Sequence, residues 1–225
     1  MKNIQKFGAF ASLVFGISFI ALLVLLITIS DQGYTPGSGN NPAKALEFAA
    51  SSPIPYIIYL LYALFAILMT LIALAMADQL QTDAPTQMRL ATVAASTTSI
   101  LFLVYAMLGY IGEPTLIAIY RQDVVLGASA YIATRVVSNA LNTAAIFASG
   151  WAVLLIGLAA LRAEKLPKLL AELMVLAGLL SILAFLIPVF ALLAPLLYIV
   201  WSIWLGIVLL GKSASRTQLV PLNNV

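Results

Sequence analysis

Polar side chains set inside long apolar runs are the residues of this chain best placed for chemistry, because each is costly to bury in hydrocarbon and so marks a purpose. Arg135, Ser138, Asn139, Asn142 and Thr143 follow one another at the start of one such run. On a helix, positions 135, 138/139 and 142 share a face. That stripe suits the wall of a small-solute or headgroup pocket. It equally suits a set of interhelical hydrogen bonds, each contributing about 1 kcal/mol or less. A second set, Arg89, Thr92, Ser96 and Ser99, repeats the spacing in another run. Arg135, Asn139, Asn142 and Thr143, with Thr92, Ser96 and Ser99, make up a candidate polar cavity. Glu113 and Arg135 lie at the facing ends of neighbouring runs, where an ion pair between them would pin two helix ends together. Tyr56, Tyr59 and Tyr62 recur every three residues; an interfacial aromatic belt accounts for Tyr56, whereas Tyr62 lies deeper and needs a partner for its hydroxyl.

Reactive groups are scarce. The chain has no cysteine and no histidine, which removes thiolate nucleophiles, disulfides and the usual zinc, copper, haem and iron–sulfur ligands. None of the lysines sits deep in an apolar run, as a Schiff base would require. Asp78 and Asp83 are too far apart on one segment to act as a pair, and no GxSxG, Walker or HExxH motif is present. The expectation is therefore a protein with no catalytic residues, no cofactor and no metal, and not an enzyme. A net charge of +3, dispersed along the chain, gives no reason to expect nucleic acid.

What must position these residues is a membrane-spanning bundle. Only 8% of residues are charged, against about 25% in a soluble domain, and 63% are hydrophobic. A bilayer core of ~30 Å needs about 20 helical residues. The first run, 7–29, follows Lys2 and Lys6 but exceeds a signal-peptide core of roughly 7–15 residues, so it reads as a retained helix. A Gly/Pro/Asn-rich loop, 31–52, follows, with a short helix over 42–50. Ser51-Ser52-Pro53 caps a second span over 54–77. A turn at 82–86 leads to a third span, 90–112, which Glu113-Pro114 is expected to end. Residues 113–135 read as a second outer loop, interfacial or re-entrant, because Arg121 and Asp123 would each cost ~2.5–3.5 kcal/mol at the bilayer centre. The fourth span covers 136–161. As one helix, the apolar block 169–210 would be roughly twice the bilayer thickness. Pro188 and Pro195 flank its turn, giving spans at 169–187 and 192–210.

The fold class is thus all-α, a single polytopic transmembrane bundle with about six spanning helices. Eight of the eleven lysines and arginines fall in segments on one side (Lys2, Lys6, Arg89, Arg162, Lys165, Lys168, Lys212 and Arg216). By the positive-inside rule both termini are cytoplasmic and the loops 31–52 and 113–135 lie outside. Gly8, Ser12 and Gly16 put small residues on one face of the first helix, a close-packing surface. The expected location is the cell membrane, and the expected partners are the lipid bilayer and either another membrane protein or further copies of this chain.

Residues 150–210 carry a resemblance. Gly150-Trp151 and Gly157 precede the basic turn Arg162-Ala163-Glu164-Lys165-Leu166-Pro167-Lys168. Ala177-Gly178 and Trp201-Ser202-Ile203-Trp204-Leu205-Gly206 follow. This order resembles an uncharacterised bacterial family of six-helix integral membrane proteins, a domain of unknown function. The resemblance implies six helices and supplies no reaction or ligand. Two roles stay open on sequence: an accessory or scaffold protein that binds lipid or a partner, and a small-solute transporter or channel using the two polar faces.

Overall fold

The computed structural model describes residues 2–30, 41–187 and 189–218, and these are organised as seven helices: α1 (Lys2–Ser30), α2 (Pro42–Ser51), α3 (Ile54–Leu80), α4 (Pro85–Gln122), α5 (Val124–Ala163), α6 (Lys168–Leu183) and α7 (Phe190–Gln218). Five are long and apolar enough to cross a membrane: α1, α3, α4, α5 and the Leu192–Gly211 stretch of α7. The first part of the expected 31–52 loop and the turn residue Pro188 lie outside the described residues. The short helix expected over 42–50 is present. Asn41 caps it by accepting from Ala43 N at 3.0 Å, and Pro42 fills its first turn, where a missing N–H is harmless.

Neighbours in the bundle form a closed ring. α1 packs on α3, α3 on α4, α4 on α5, α5 on α6, α6 on α7, and α7 returns to α1, while α2 lies across α4 and α5. Between apolar helices, close approach depends on small residues, and at the α5–α6 seam three glycines supply it. A Cβ built on Gly178 would lie 2.5 Å from Leu154 N and 2.6 Å from Gly150 O; one on Gly157 would lie 2.8 Å from Val175 N. These obstacles are backbone atoms, which cannot rotate aside. The Gly8/Ser12/Gly16 face is also spent within the chain. Gly8 receives Ala75 of α3, and Gly16 receives Ser202 and Ile203 of α7.

Two boundaries differ from expectation. Glu113-Pro114 does not end the third span, because α4 continues through Pro114 to Gln122. Nor is 113–135 a loop. Asp123 alone separates α4 from α5, and its carboxylate accepts from Val125 N at 2.9 Å and Leu126 N at 3.0 Å as the N-cap of α5. Proline removes one helical hydrogen bond, here to the Tyr110 carbonyl, at a cost of roughly 3 kcal/mol. Packing along α5 and beneath α2 outweighs that local loss. At 38 and 40 residues, α4 and α5 are each close to 60 Å long and overrun α3 at the α2 end of the bundle. The fold-back within 169–210 is present, with α6 ending earlier than expected, at Leu183.

At the opposite end, two turns are tied together. Lys165 donates to Gln79 O at 2.9 Å and Thr82 Oγ1 at 3.3 Å, and pairs with Asp83. Hydrogen bonds from Lys165 and then Thr82 hold the exposed Asp83 carboxyl below its usual range. Just before Lys165, Glu164 takes a left-handed conformation (φ 52°) to end α5, the position helices usually give to glycine.

Gly178→Ala is expected to destabilise the bundle by about 1–3 kcal/mol, as overpacking does. Gly112→Ala, where a Cβ would meet nothing within 4 Å, should be neutral or stabilising by up to about 1 kcal/mol; thermal unfolding in detergent compares the two. A depressed Asp83 pKa stabilises above the ordinary carboxylate value of ~3.9 and is lost as pH falls through the lower folded value. The unfolding difference between the wild type and Lys165→Met should therefore be largest at neutral pH and shrink in acid to what the Gln79 and Thr82 hydrogen bonds contribute.

Candidate functional site

Glu113 and Arg135 do meet. They lie roughly 15 and 18 Å from Asp123 along antiparallel helices at ~1.5 Å per residue, so the single-residue turn sets them side by side. Arg135 Nη2 is 3.5 Å from Glu113 Oε1, and the side chains are 14% and 3% exposed. A carboxylate this deeply buried is tolerable only when paired and hydrogen-bonded. Tyr59 of α3 donates to the same Oε1 at 3.2 Å. Arg135 Nη1 lies 3.4 Å from the Tyr59 hydroxyl, Arg135 Nε donates to the Tyr131 hydroxyl at 2.9 Å, and the guanidinium carbon sits 5.1 Å from the Tyr131 ring centroid. Tyr59 reaches this point because Gly109, one turn before Glu113, has no side chain; a Cβ there would run into the Tyr59 ring.

Below the pair the tyrosines form a buried stack. Tyr59 meets Tyr105 at 5.9 Å between ring centroids, Tyr105 meets Tyr62 at 4.7 Å, and Tyr62 meets Phe102 at 5.4 Å. The two edge-on pairs, Tyr59–Tyr105 and Tyr105–Tyr62, each contribute roughly 0.5–1.5 kcal/mol beyond their burial. Asn142 of α5 lies beside the Tyr62 hydroxyl, and its Oδ1 is buried without a hydrogen-bond partner. The arrangement clamps three helices, since α3 supplies Tyr59 and Tyr62, α4 Tyr105 and Glu113, and α5 Tyr131, Arg135 and Asn142. Its chemical resources are a guanidinium that stays protonated, a carboxylate it neutralises and phenols. None of these is an activated nucleophile or a free base.

The candidate polar cavity is not assembled as one site. Measured from Asp123, Arg135 to Thr143 cover roughly 18–30 Å of α5, whereas Ser99 to Thr92 lie at roughly 36–46 Å on α4. Ser96 and Thr143 face outward. Thr92 donates to Met88 O at 2.8 Å. Ser99 is buried at the α3–α4 contact, 2.6 Å from Ala66 O and 2.8 Å from the Thr70 hydroxyl. Asn139 is half-buried and engaged. Among the described residues no group of three or more His, Cys, Asp or Glu side chains is gathered to hold a metal ion.

An enclosure that sequence reasoning missed lies on the axis of the ring. Its volume is about 80 Å³, and every ring helix contributes: Phe15 and Phe19, Met69, Phe102, Ser149, Ser181 and Tyr198 among others. Ser149 donates to Ile146 O at 2.7 Å and so accepts from the Tyr198 hydroxyl at 3.1 Å; Ser181 donates to Ala177 O at 3.0 Å. Only isolated polar residues in three separate runs signalled it. By contrast, the four-residue spacing of Tyr131 and Arg135 was a readable sign that a tyrosine accompanies the ion pair.

Removing Arg135 leaves Glu113 charged and buried, so Arg135→Met is expected to cost about 3 kcal/mol. Arg135→Met with Glu113→Leu should recover most of that loss. Unfolding curves for the two variants check this, and equal destabilisation would show that the pair is not what couples α4 to α5.

Compared with protein-family models, with curated proteins and with solved structures, the chain finds no match.

Proposed function

We propose that this chain is a non-enzymatic multi-pass protein of the cell membrane that binds or stabilises another membrane component, a partner protein or lipid. The observation that carries this reading is the use made of the polar side chains. Ser99, Thr70, Tyr59, Glu113 and Arg135 are spent holding helices to one another. A solute pathway needs its polar faces turned towards each other across a hydrated gap, and here they lie at different depths with Ser96 and Thr143 turned outward. That arrangement favours the scaffold over the transporter.

The six-crossing topology belongs to the same reading. α6, at 16 residues, is roughly 24 Å long and makes the sixth crossing together with the apolar turn that follows it. The lysine and arginine distribution supports cytoplasmic termini, which puts the Asp83–Lys165 tie inside and α2, with the far ends of α4 and α5, outside.

Gentle extraction from native membranes, followed by mass spectrometry of co-purifying proteins and lipids, should return a stoichiometric companion; recovery of bare monomer would count against the scaffold. In reconstituted vesicles, Asn139→Leu with Asn142→Leu is expected to leave solute leakage unchanged. A change in flux would restore the pathway reading.

A further inference from the structure

The axial cavity is a binding site of definable chemistry. Of the residues lining it, Phe15, Met69, Ser149, Ser181 and Tyr198 are buried, while Ile146 is 37% exposed and Ala184 and Pro195 are half-buried. The mouth therefore opens where α6 gives way to the turn leading into α7. From Ile182 to Leu197 the sequence holds no charged or hydrogen-bonding side chain. Phe185, Leu186, Ile187, Val189 and Leu192 are 46–73% exposed, a concentration of bare apolar surface that water would not tolerate.

The turn's backbone is equally suited to hydrocarbon. Ala184, Phe185, Leu186, Ile187, Phe190 and Leu192 each donate an N–H to a carbonyl three or four residues earlier. Each of these N–H groups is satisfied within the chain, so none of them is left bare towards hydrocarbon. With Lys168 at one boundary of the bilayer core, α6 at roughly 24 Å ends short of the other boundary at ~30 Å, so the turn begins within the core and completes the crossing. The mouth then faces acyl chains rather than headgroups or water.

Inside, the hydroxyls are already engaged with each other or with carbonyls. A water molecule needs two to four polar partners, and an apolar cavity of this scale stays dry or takes a nonpolar guest. We propose that the axial cavity holds the end of one acyl chain of a bilayer phospholipid, which enters sideways past the α6–α7 turn between Ile146 and Pro195. The site rests on the membrane reading above and gives its lipid-binding arm a specific address.

Trp201 supplies the probe. It is fully buried, 5.6 Å from Tyr198 and 6.1 Å from Phe15 between ring centroids, and both of those rings line the cavity. Trp151 is 43% exposed on the bundle surface. The experiment uses single-tryptophan proteins in phosphatidylcholine vesicles with or without bromine on the acyl chains, since bromine quenches indole at short range. The Trp201-only protein (Trp151→Phe, Trp204→Phe) is expected to lose emission in brominated vesicles and to resist aqueous acrylamide. Ala194→Phe on α7 and independently Ser181→Leu on α6, each of which adds bulk to a buried lining residue, should each restore emission. Trp201 emission unaffected by bromine, or quenched by acrylamide instead, overturns the acyl-chain site; so does quenching that persists in whichever filled variant folds. The Trp151-only protein separates the two failures. If bromine quenches Trp151 and spares Trp201, only the cavity proposal falls, whereas no quenching of Trp151 removes the membrane reading itself.

Discussion

Contact between helix backbones, made possible where a side chain is reduced to a hydrogen, is the constraint on which the arrangement depends. In lipid, apolar side chains gain little by leaving one apolar neighbour for another, so association must come from dispersion at close range and from a few hydrogen bonds. Gly150, Gly157 and Gly178 bring α5 and α6 within reach of each other's main chain. That approach holds α6 against α5 up to Ser149 and Ser181, which line the axial cavity.

The buried ion pair works within that frame rather than creating it. Its desolvation is expensive, and an apolar pair of similar shape would hold the helices about as well. What it adds is selectivity of register. Glu113 and Arg135 can meet only if α4 and α5 are joined by a turn as short as Asp123, and Tyr59 can join them only because Gly109 is bare. Sliding α5 by one turn along α4 would strand both charges, a penalty far larger than the packing lost. The tyrosines beneath carry the same alignment across to α3.

Hydropathy alone made most of the helices legible, because charge is excluded wherever the chain must be buried in lipid. The ion pair was legible for the same reason, two opposite charges at facing run ends. The reading failed at Pro114. A local rule says proline ends a helix, yet packing along α5 and under α2 supplies more than one lost hydrogen bond, and nothing near residue 114 encodes that packing. Asp123 looked like a burden within an apolar segment when it is the cap that starts α5. Thr92, Ser96 and Ser99 share a face with one another, but periodicity says nothing about depth relative to another helix, so their separation from Asn139 and Asn142 was invisible. The axial cavity was hidden more completely, since it belongs to six helices and to no segment.

Closure of the ring between α1 and α7 has a consequence for how the protein is made. Gly16 receives Ser202 and Ile203, and Gly206 receives Leu13, so α1 has its longest seam with a helix made more than 150 residues after it. At about 5–20 residues per second of synthesis, α1 waits on the order of 10–40 seconds for that partner. Throughout the interval Phe15 has neither Tyr198 nor Trp201 beside it. The nascent chain is an open horseshoe of helices, and a cell making this protein must keep other membrane chains out of the gap until translation closes it.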